Sequence, residues 1–260
     1  MRAAAFFAHT LAATPASAYT PPMPQPPKQP PKSYAPAPGE VASEARRAGF
    51  ALTKTQAGLL SQYLTLLLKW SRAMNLVGRA TWPEVFRDLT ADSLHLAEFL
   101  ATLALPKAPL TLDLGAGAGL PGIPLRVLWP VGDYVLVELR EKRAVFLRQA
   151  VAELQLAGGL PGVRVVHGRA EAVAPELKLL GLRPRADLIV SRAFMPWPKL
   201  LPLATELLSE QGRLVVLSNE PAPSAEALAE TGAGFVVEAS QDYPAGGKTR
   251  YFWSLIPAMA

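Results

Sequence analysis

The residues best able to do chemistry cluster in one run, Thr111-Leu112-Asp113-Leu114-Gly115-Ala116-Gly117-Ala118-Gly119-Leu120-Pro121-Gly122. An apolar, strand-like segment leads into glycines at alternate positions. Glycine lets the backbone turn sharply and lets a ligand approach the main chain with no Cβ in the way. Such a turn at the carboxyl end of a parallel strand is where open α/β sheets bind ligands. Two nucleotide-binding patterns overlap here. Gly117-x-Gly119-x-x-Gly122 matches the dinucleotide fingerprint, whose turn delivers a pyrophosphate to a helix N-terminus. Gly115-x-Gly117-x-Gly119 matches the shorter turn that carries S-adenosylmethionine. A ligand-free strand-to-helix connection is the third reading, because one motif of this kind is weakly specific.

The surroundings favour the sulfonium cofactor. Pro121 and Pro124 bracket Gly122 and push the helix start later than a pyrophosphate site wants. S-adenosylmethionine is a cation without phosphate, and Asp113 beside the turn suits a cation or its amino group. Glu138 ends the next apolar run, 23 residues after Gly115. An acid there accepts hydrogen bonds from ribose hydroxyls in both cofactor classes. A plain strand-end acid or helix partner would look the same.

Elements must hold these groups in place. After Pro109, apolar runs alternate with amphipathic segments. Residues 110–114, 134–138, 163–167, 186–191, 213–219, 235–239 and 251–256 read as strands, the last two joined through a Gly246-Gly247 turn. Residues 121–129, 142–156, 170–180, 199–208 and 224–231 read as helices. This alternation predicts an α/β fold with a mostly parallel, seven-stranded sheet covered on both faces. Upstream, Thr53-Lys54-Thr55-Gln56 and Thr81-Trp82-Pro83-Glu84 are capping-box signatures. With Leu59, Leu60, Tyr63, Leu67, Trp70 and Met74 at helical spacing, they predict a small helical subdomain over residues 41–105, ahead of the main domain at 106–260.

Composition narrows the chemistry. The 260 residues contain no cysteine, which removes disulfides, thiolate nucleophiles and cysteine-ligated metals. Three histidines, His9, His95 and His167, show no metal-ligand spacing, so no metal is expected. No run is long and apolar enough for a membrane span. Ten of the 26 prolines fall between Pro15 and Pro38, so residues 1–40 read as an extended or disordered leader. Arg2, the alanine-rich stretch to Ala13 and Ala16-Ser17-Ala18 also trace a weak outline of a secretory signal. The net charge is +5, and residues 41–260 keep 23 basic and 20 acidic groups, a net +3. Any polyanion must therefore meet a local patch. Candidates are Arg46, Arg47, Lys69, Arg72, Arg79, Lys142, Arg143, Lys199, Lys248 and Arg250.

Several segments in order resemble one family: Asn75-Leu76-Val77, Ala91-Asp92-Ser93-Leu94, Asp113 through Leu125, Glu138 through Arg148, His167-Gly168-Arg169-Ala170-Glu171 and Ser191-Arg192-Ala193-Phe194. Over residues 41–256 the chain is similar to the bacterial 16S ribosomal RNA guanine-N7 methyltransferases, RsmG or GidB. The resemblance implies a class I S-adenosylmethionine-dependent methyltransferase (Rossmann-like) fold acting on guanine-527. It also implies a cytoplasmic enzyme whose partner is 16S rRNA in a 30S subunit or assembly intermediate. It places Gly115, Leu120, Glu138, Ala170, Glu171 and Arg192 at the cofactor, and Gly117 and Asp113 of the turn join them as expected cofactor residues. Lys142 and Arg143 match a basic pair of the family and, with Arg72 and Arg79 from the basic candidates, are the expected RNA contacts. Two positions depart: Leu89 stands where the family commonly has histidine, and Leu217-Ser218-Asn219 where it has Leu-Lys-Gly. Both changes bear on RNA more than on cofactor.

The implied reaction agrees with the missing groups. Guanine N7 offers a lone pair and carries no proton. Its methylation needs in-line placement rather than a general base, so no catalytic acid or base is expected. Phe194 or Trp197 could stack on an unpaired base. Three alternatives stay open: a methyltransferase for a small molecule or protein, a dinucleotide oxidoreductase, and a non-catalytic RNA-binding relative.

Overall fold

Sidedness along the strands decides where each chemical group ends up. The structure is a computed structural model that describes residues 35–78 and 80–258. The signal-like start, most of the proline-rich leader and Arg79 lie outside the described residues. Seven strands form one sheet: β1 (Leu110–Leu114), β2 (Asp133–Glu138), β3 (Val163–His167), β4 (Ala186–Arg192), β5 (Leu208–Ser218), β6 (Phe235–Ala245) and β7 (Lys248–Pro257). Their order is β3-β2-β1-β4-β5-β7-β6. β1 to β5 run parallel, and β7 inserts antiparallel between β5 and β6. The expected α/β sheet is present. The order reverses between β1 and β4, and ligands of such sheets bind beyond the carboxyl ends of strands at that point.

Alternation along the strands sorts two cores. Tyr134 and Leu136 of β2, with Leu188 and Val190 of β4, face one hydrophobic cluster. Val135, Val137 and Ile189 face the other, as do Leu110, Leu112 and Leu114 of β1. The first cluster takes in the N-terminal helices α1 (Pro38–Arg47), α2 (Lys54–Met74), α3 (Trp82–Val85) and α4 (Ala91–Thr102), with α5 (Gly122–Leu128) and α6 (Glu141–Leu156). The second is covered by α7 (Val173–Leu179), α8 (Trp197–Leu207) and α9 (Ala225–Glu230). In α2 the Thr53 hydroxyl accepts from the Gln56 amide at 3.1 Å, and the Gln56 side chain accepts from the Thr53 amide at 2.9 Å. The predicted capping box is therefore formed. The second box opens only one turn of α-helix, which continues through a π turn, Phe86–Thr90, into α4.

Some boundaries differ from the sequence expectation. β5 starts at Leu208 rather than residue 213, where an irregularity in its pairing with β4 carries it past Glu210 and Gln211. β6 and β7 extend to Ala245 and back to Lys248, because Gly246 and Gly247, with φ of 57° and 73°, make a two-residue hairpin turn. The expected helix over 170–180 splits into a 3-10 turn, Ala170–Ala172, followed by α7. Helix α1, rich in alanine and charge, escaped the periodicity reading.

One buried cation fastens the end of α5 to the loops below the sheet. Arg126 is 1% exposed and donates to the carbonyls of Trp129, Val131, Gly132 and Pro161 at 2.6–3.0 Å. Burial of a charge is tolerable only with such hydrogen bonding. Arg126→Met strands these carbonyls and is expected to cost about 3 kcal/mol. Urea unfolding measures this, and an unchanged midpoint would show that the four carbonyls do not depend on the guanidinium.

Candidate active site

The first cleft lies over the carboxyl ends of β1, β2 and β3. It encloses about 320 Å³ and is lined by Gly115, Glu138, Leu139, Arg140, Arg143, Gly168, Arg169, Ala170, Glu171, Ala193, Phe194 and Met195 among others. Of the residues expected at the cofactor, Gly115, Glu138, Ala170 and Glu171 meet here. Gly115 has φ 71°, and a Cβ on it would stand 2.6 Å from the Phe194 ring. A side chain at this position would be strained and would push Phe194 from the wall.

The turn around this cleft is held from several sides. The amides of Gly115 and Ala116 both donate to the Val137 carbonyl, at 2.9 and 3.0 Å. The Gly117 amide donates to Glu138 Oε2, and the Arg140 amide to Glu138 Oε1, both at 2.8 Å. From behind, the Tyr63 hydroxyl of α2 donates to the Ala118 carbonyl at 2.7 Å. The Ser93 hydroxyl of α4 donates to the Pro121 carbonyl at 2.9 Å. Glu138 thus links two loops, and each of its oxygens keeps a second lone pair for a ligand hydroxyl. Gly117 works through this amide bond, and Leu120 packs partly buried against the core instead of lining the cleft.

Asp113 takes a different place from the one its neighbourhood suggests. Its side chain points from β1 to the helical face, opposite to Leu112 and Leu114, and is 1% exposed. The Tyr134 hydroxyl donates to its Oδ2 at 3.2 Å. Gly122 lies so close that a Cβ there would collide with this carboxylate and with Leu136. Burial pushes the Asp113 carboxyl up to about 7, against the lowering influence of Tyr134, the Gly122 amide and Arg192. The group therefore supports the turn from beneath.

A second cleft, about 340 Å³, adjoins the first and shares Ala193 and Met195 with it. Its wall includes Asp92, Arg192, Trp197, Leu217, Ser218, Asn219, Tyr243 and Arg250. Arg192, expected at the cofactor, stands here. Its Nη2 lies 2.9 Å from Asp92 Oδ2, and its Nη1 donates to the Leu89 carbonyl at 3.4 Å. Arg250 donates to the same Oδ2 at 2.6 Å and to the Asp88 carbonyl at 2.7 Å. Asp92 is 1% exposed; burial raises its carboxyl above the usual range, and the two guanidiniums oppose that rise.

Sequence reasoning gave Asp92 no role of its own and took Arg250 as one candidate for a local basic patch. The segment Ala91-Asp92-Ser93-Leu94 was the available signal for both Asp92 and Ser93. Of the suggested RNA contacts, Lys142 and Arg72 are exposed, whereas Arg143 is half-buried along the first cleft. Phe194 belongs to the first cleft, and Trp197 lines the second. Both departures from the family pattern meet the second cleft: Ser218 and Asn219 on its wall, and Leu89 through its carbonyl bond to Arg192.

Asp113 makes stability depend on pH. Above about pH 4 the unfolded chain releases a proton that the folded protein keeps until about pH 7. The unfolded state then binds fewer protons, so this contribution is fully present at low pH and is lost as pH rises through that window. Asp113→Asn removes the dependence. Its stability relative to wild type should rise by about 2 kcal/mol from pH 5 to pH 8 in urea titrations. A constant difference would mean that Asp113 is ionised throughout.

Comparison with known proteins gives the family. Residues 56–239 match the family model described as GidB, rRNA small subunit methyltransferase G. Ribosomal RNA small subunit methyltransferase G of Nitratidesulfovibrio vulgaris is 50% identical over 84% of this chain and 93% of its own length. The Oleidesulfovibrio alaskensis protein of the same name is 42% identical over 80% and 88%. Among solved structures, a mutant MtNAS in complex with S-adenosylmethionine aligns with TM-score 0.51 at 15% identity, covering 84% of both chains, a likeness of fold. The glycine turn, the strand-end acid and these matches make the chain a member of the GidB family, the S-adenosylmethionine-dependent small-subunit rRNA methyltransferases G.

Proposed function

We propose that the protein methylates N7 of a guanine in 16S rRNA, guanine-527, in a 30S subunit or an assembly intermediate. The observation that carries this reading is the adjoining pair of clefts, which meet at Ala193 and Met195. S-adenosylmethionine supplies an electrophilic methyl group on a sulfonium. Glu138 would hold the ribose hydroxyls with the lone pairs its amide partners leave free. Gly115 brings bare backbone to the cleft, Ala170 gives a buried apolar wall, and Glu171 an exposed acid at the rim. N7 needs no proton removed, so the protein's task is to hold acceptor and donor in line. A neighbourhood of cations supports RNA binding. Trp70 of α2 packs on Phe146 of α6, which brings the end of α2 with Arg72 toward the start of α6 with Lys142. A ribosomal substrate makes the cytoplasm the site of action.

Mapping N7-methylguanosine in 16S rRNA with and without the gene tests the reading. Loss of the guanine-527 modification in the deletion, restored by the intact gene, is expected. An unchanged methylation pattern would sink it. For the RNA face, the double variant Lys142→Ala with Arg72→Ala should raise KM for 30S subunits and lower the salt slope by about one per lost phosphate contact. KM for S-adenosylmethionine should stay as in wild type. An unaltered salt slope would remove these two residues from the RNA interface.

A further inference from the structure

We propose that the second cleft seats the acceptor base itself, and that the paired guanidiniums of Arg192 and Arg250 select guanine by facing its O6. The proposal rests on the guanine reading above and adds the residues that recognise the base. Three observations carry it.

The first is place. The cleft lies over the carboxyl ends of β4 and β5 and beside the start of β7, across the Ala193–Met195 ridge from the cofactor cleft. An acceptor there can face a donor held in the first cleft.

The second is unmet hydrogen bonding. Two guanidiniums share one oxygen of one carboxylate. Arg250 Nε is buried beside the same cleft without a hydrogen-bond partner, and the Tyr243 hydroxyl faces the Asp92 carboxylate. Native proteins leave few such donors, and one beside an open cleft points to a polar ligand. Burial, together with the Asp92 carboxylate it faces, holds the Tyr243 hydroxyl protonated.

The third is the match of surfaces. Met195, Trp197, Val216 and Leu217 offer apolar wall for a flat ring. The N7 side of guanine carries two acceptors, N7 and O6, whereas adenine pairs N7 with an amino donor. With N7 turned to the cofactor cleft, the neighbouring exocyclic group meets the guanidiniums. Guanine O6 is satisfied there, and the adenine amino group is opposed donor to donor.

The test is to titrate GMP and AMP separately into protein saturated with S-adenosylhomocysteine, following the Trp197 indole signal by NMR and assigning it with Trp197→Phe. GMP should bind about tenfold more tightly than AMP, the discrimination of one good arginine–base contact. Arg250→Met should abolish the preference while S-adenosylhomocysteine affinity stays within about twofold, a sign that the fold is intact. If that variant loses the cofactor, Arg250→Lys carries the same expectation, because it keeps the charge and loses the fork. Equal affinity for the two nucleotides would assign the cleft to their shared ribose and phosphate and overturn the proposal. A Trp197 signal unmoved by GMP, or a preference that survives both variants, would overturn it too. Methylation of 16S guanine without GMP preference sinks this inference alone; GMP preference without methylation sinks the earlier reading alone.

Discussion

The Asp92 carboxylate, shared by two arginines, is the interaction on which the arrangement of the second cleft depends. It comes from α4, Arg192 from the end of β4 and Arg250 from β7. Three segments far apart in sequence are thereby fixed at one point. The π turn before α4 contributes the Asp88 and Leu89 carbonyls to the same two side chains. A buried carboxylate with one cation would be a costly pair with little consequence. With two cations it becomes the hub of a positively charged wall. The N-terminal helices thus help to build the site rather than merely flank the sheet.

The glycine turn shows the same division of labour on the cofactor side. The sheet holds it through Val137 and Glu138, and the helices hold it through Tyr63 and Ser93. Asp113 supports it from below, where a neutral carboxyl costs less than a buried charge. The two clefts then occupy opposite sides of the point where the strand order reverses. One ridge, Ala193–Met195, belongs to both.

Much of this could be read from the chain. Strand and helix alternation gave the sheet because its central strands β1, β2 and β4, buried on both faces, form nearly continuous apolar runs. Gly115 and Glu138 stood out because the conformations and charges they need are local properties. The burial of Asp113 was hidden for a local reason as well: closeness to the turn in sequence does not show which face of β1 its side chain takes. Arg192 and Arg250 were named from the sequence, but their pairing was beyond local reasoning, since their partner Asp92 lies 100 and 158 residues away. Tyr63 sits at a core spacing in α2, and no pattern distinguishes a tyrosine that only packs from one whose hydroxyl holds a loop carbonyl.

The central claim is that donor and acceptor meet across the Ala193–Met195 ridge. A crystal structure with S-adenosylhomocysteine bound tests it most directly. The account predicts ribose hydroxyls within hydrogen-bond distance of Glu138 and the sulfur facing the ridge, open to the cleft of Arg192 and Arg250. A ligand whose ribose avoids Glu138, or whose sulfur is walled off from that second cleft, would contradict it.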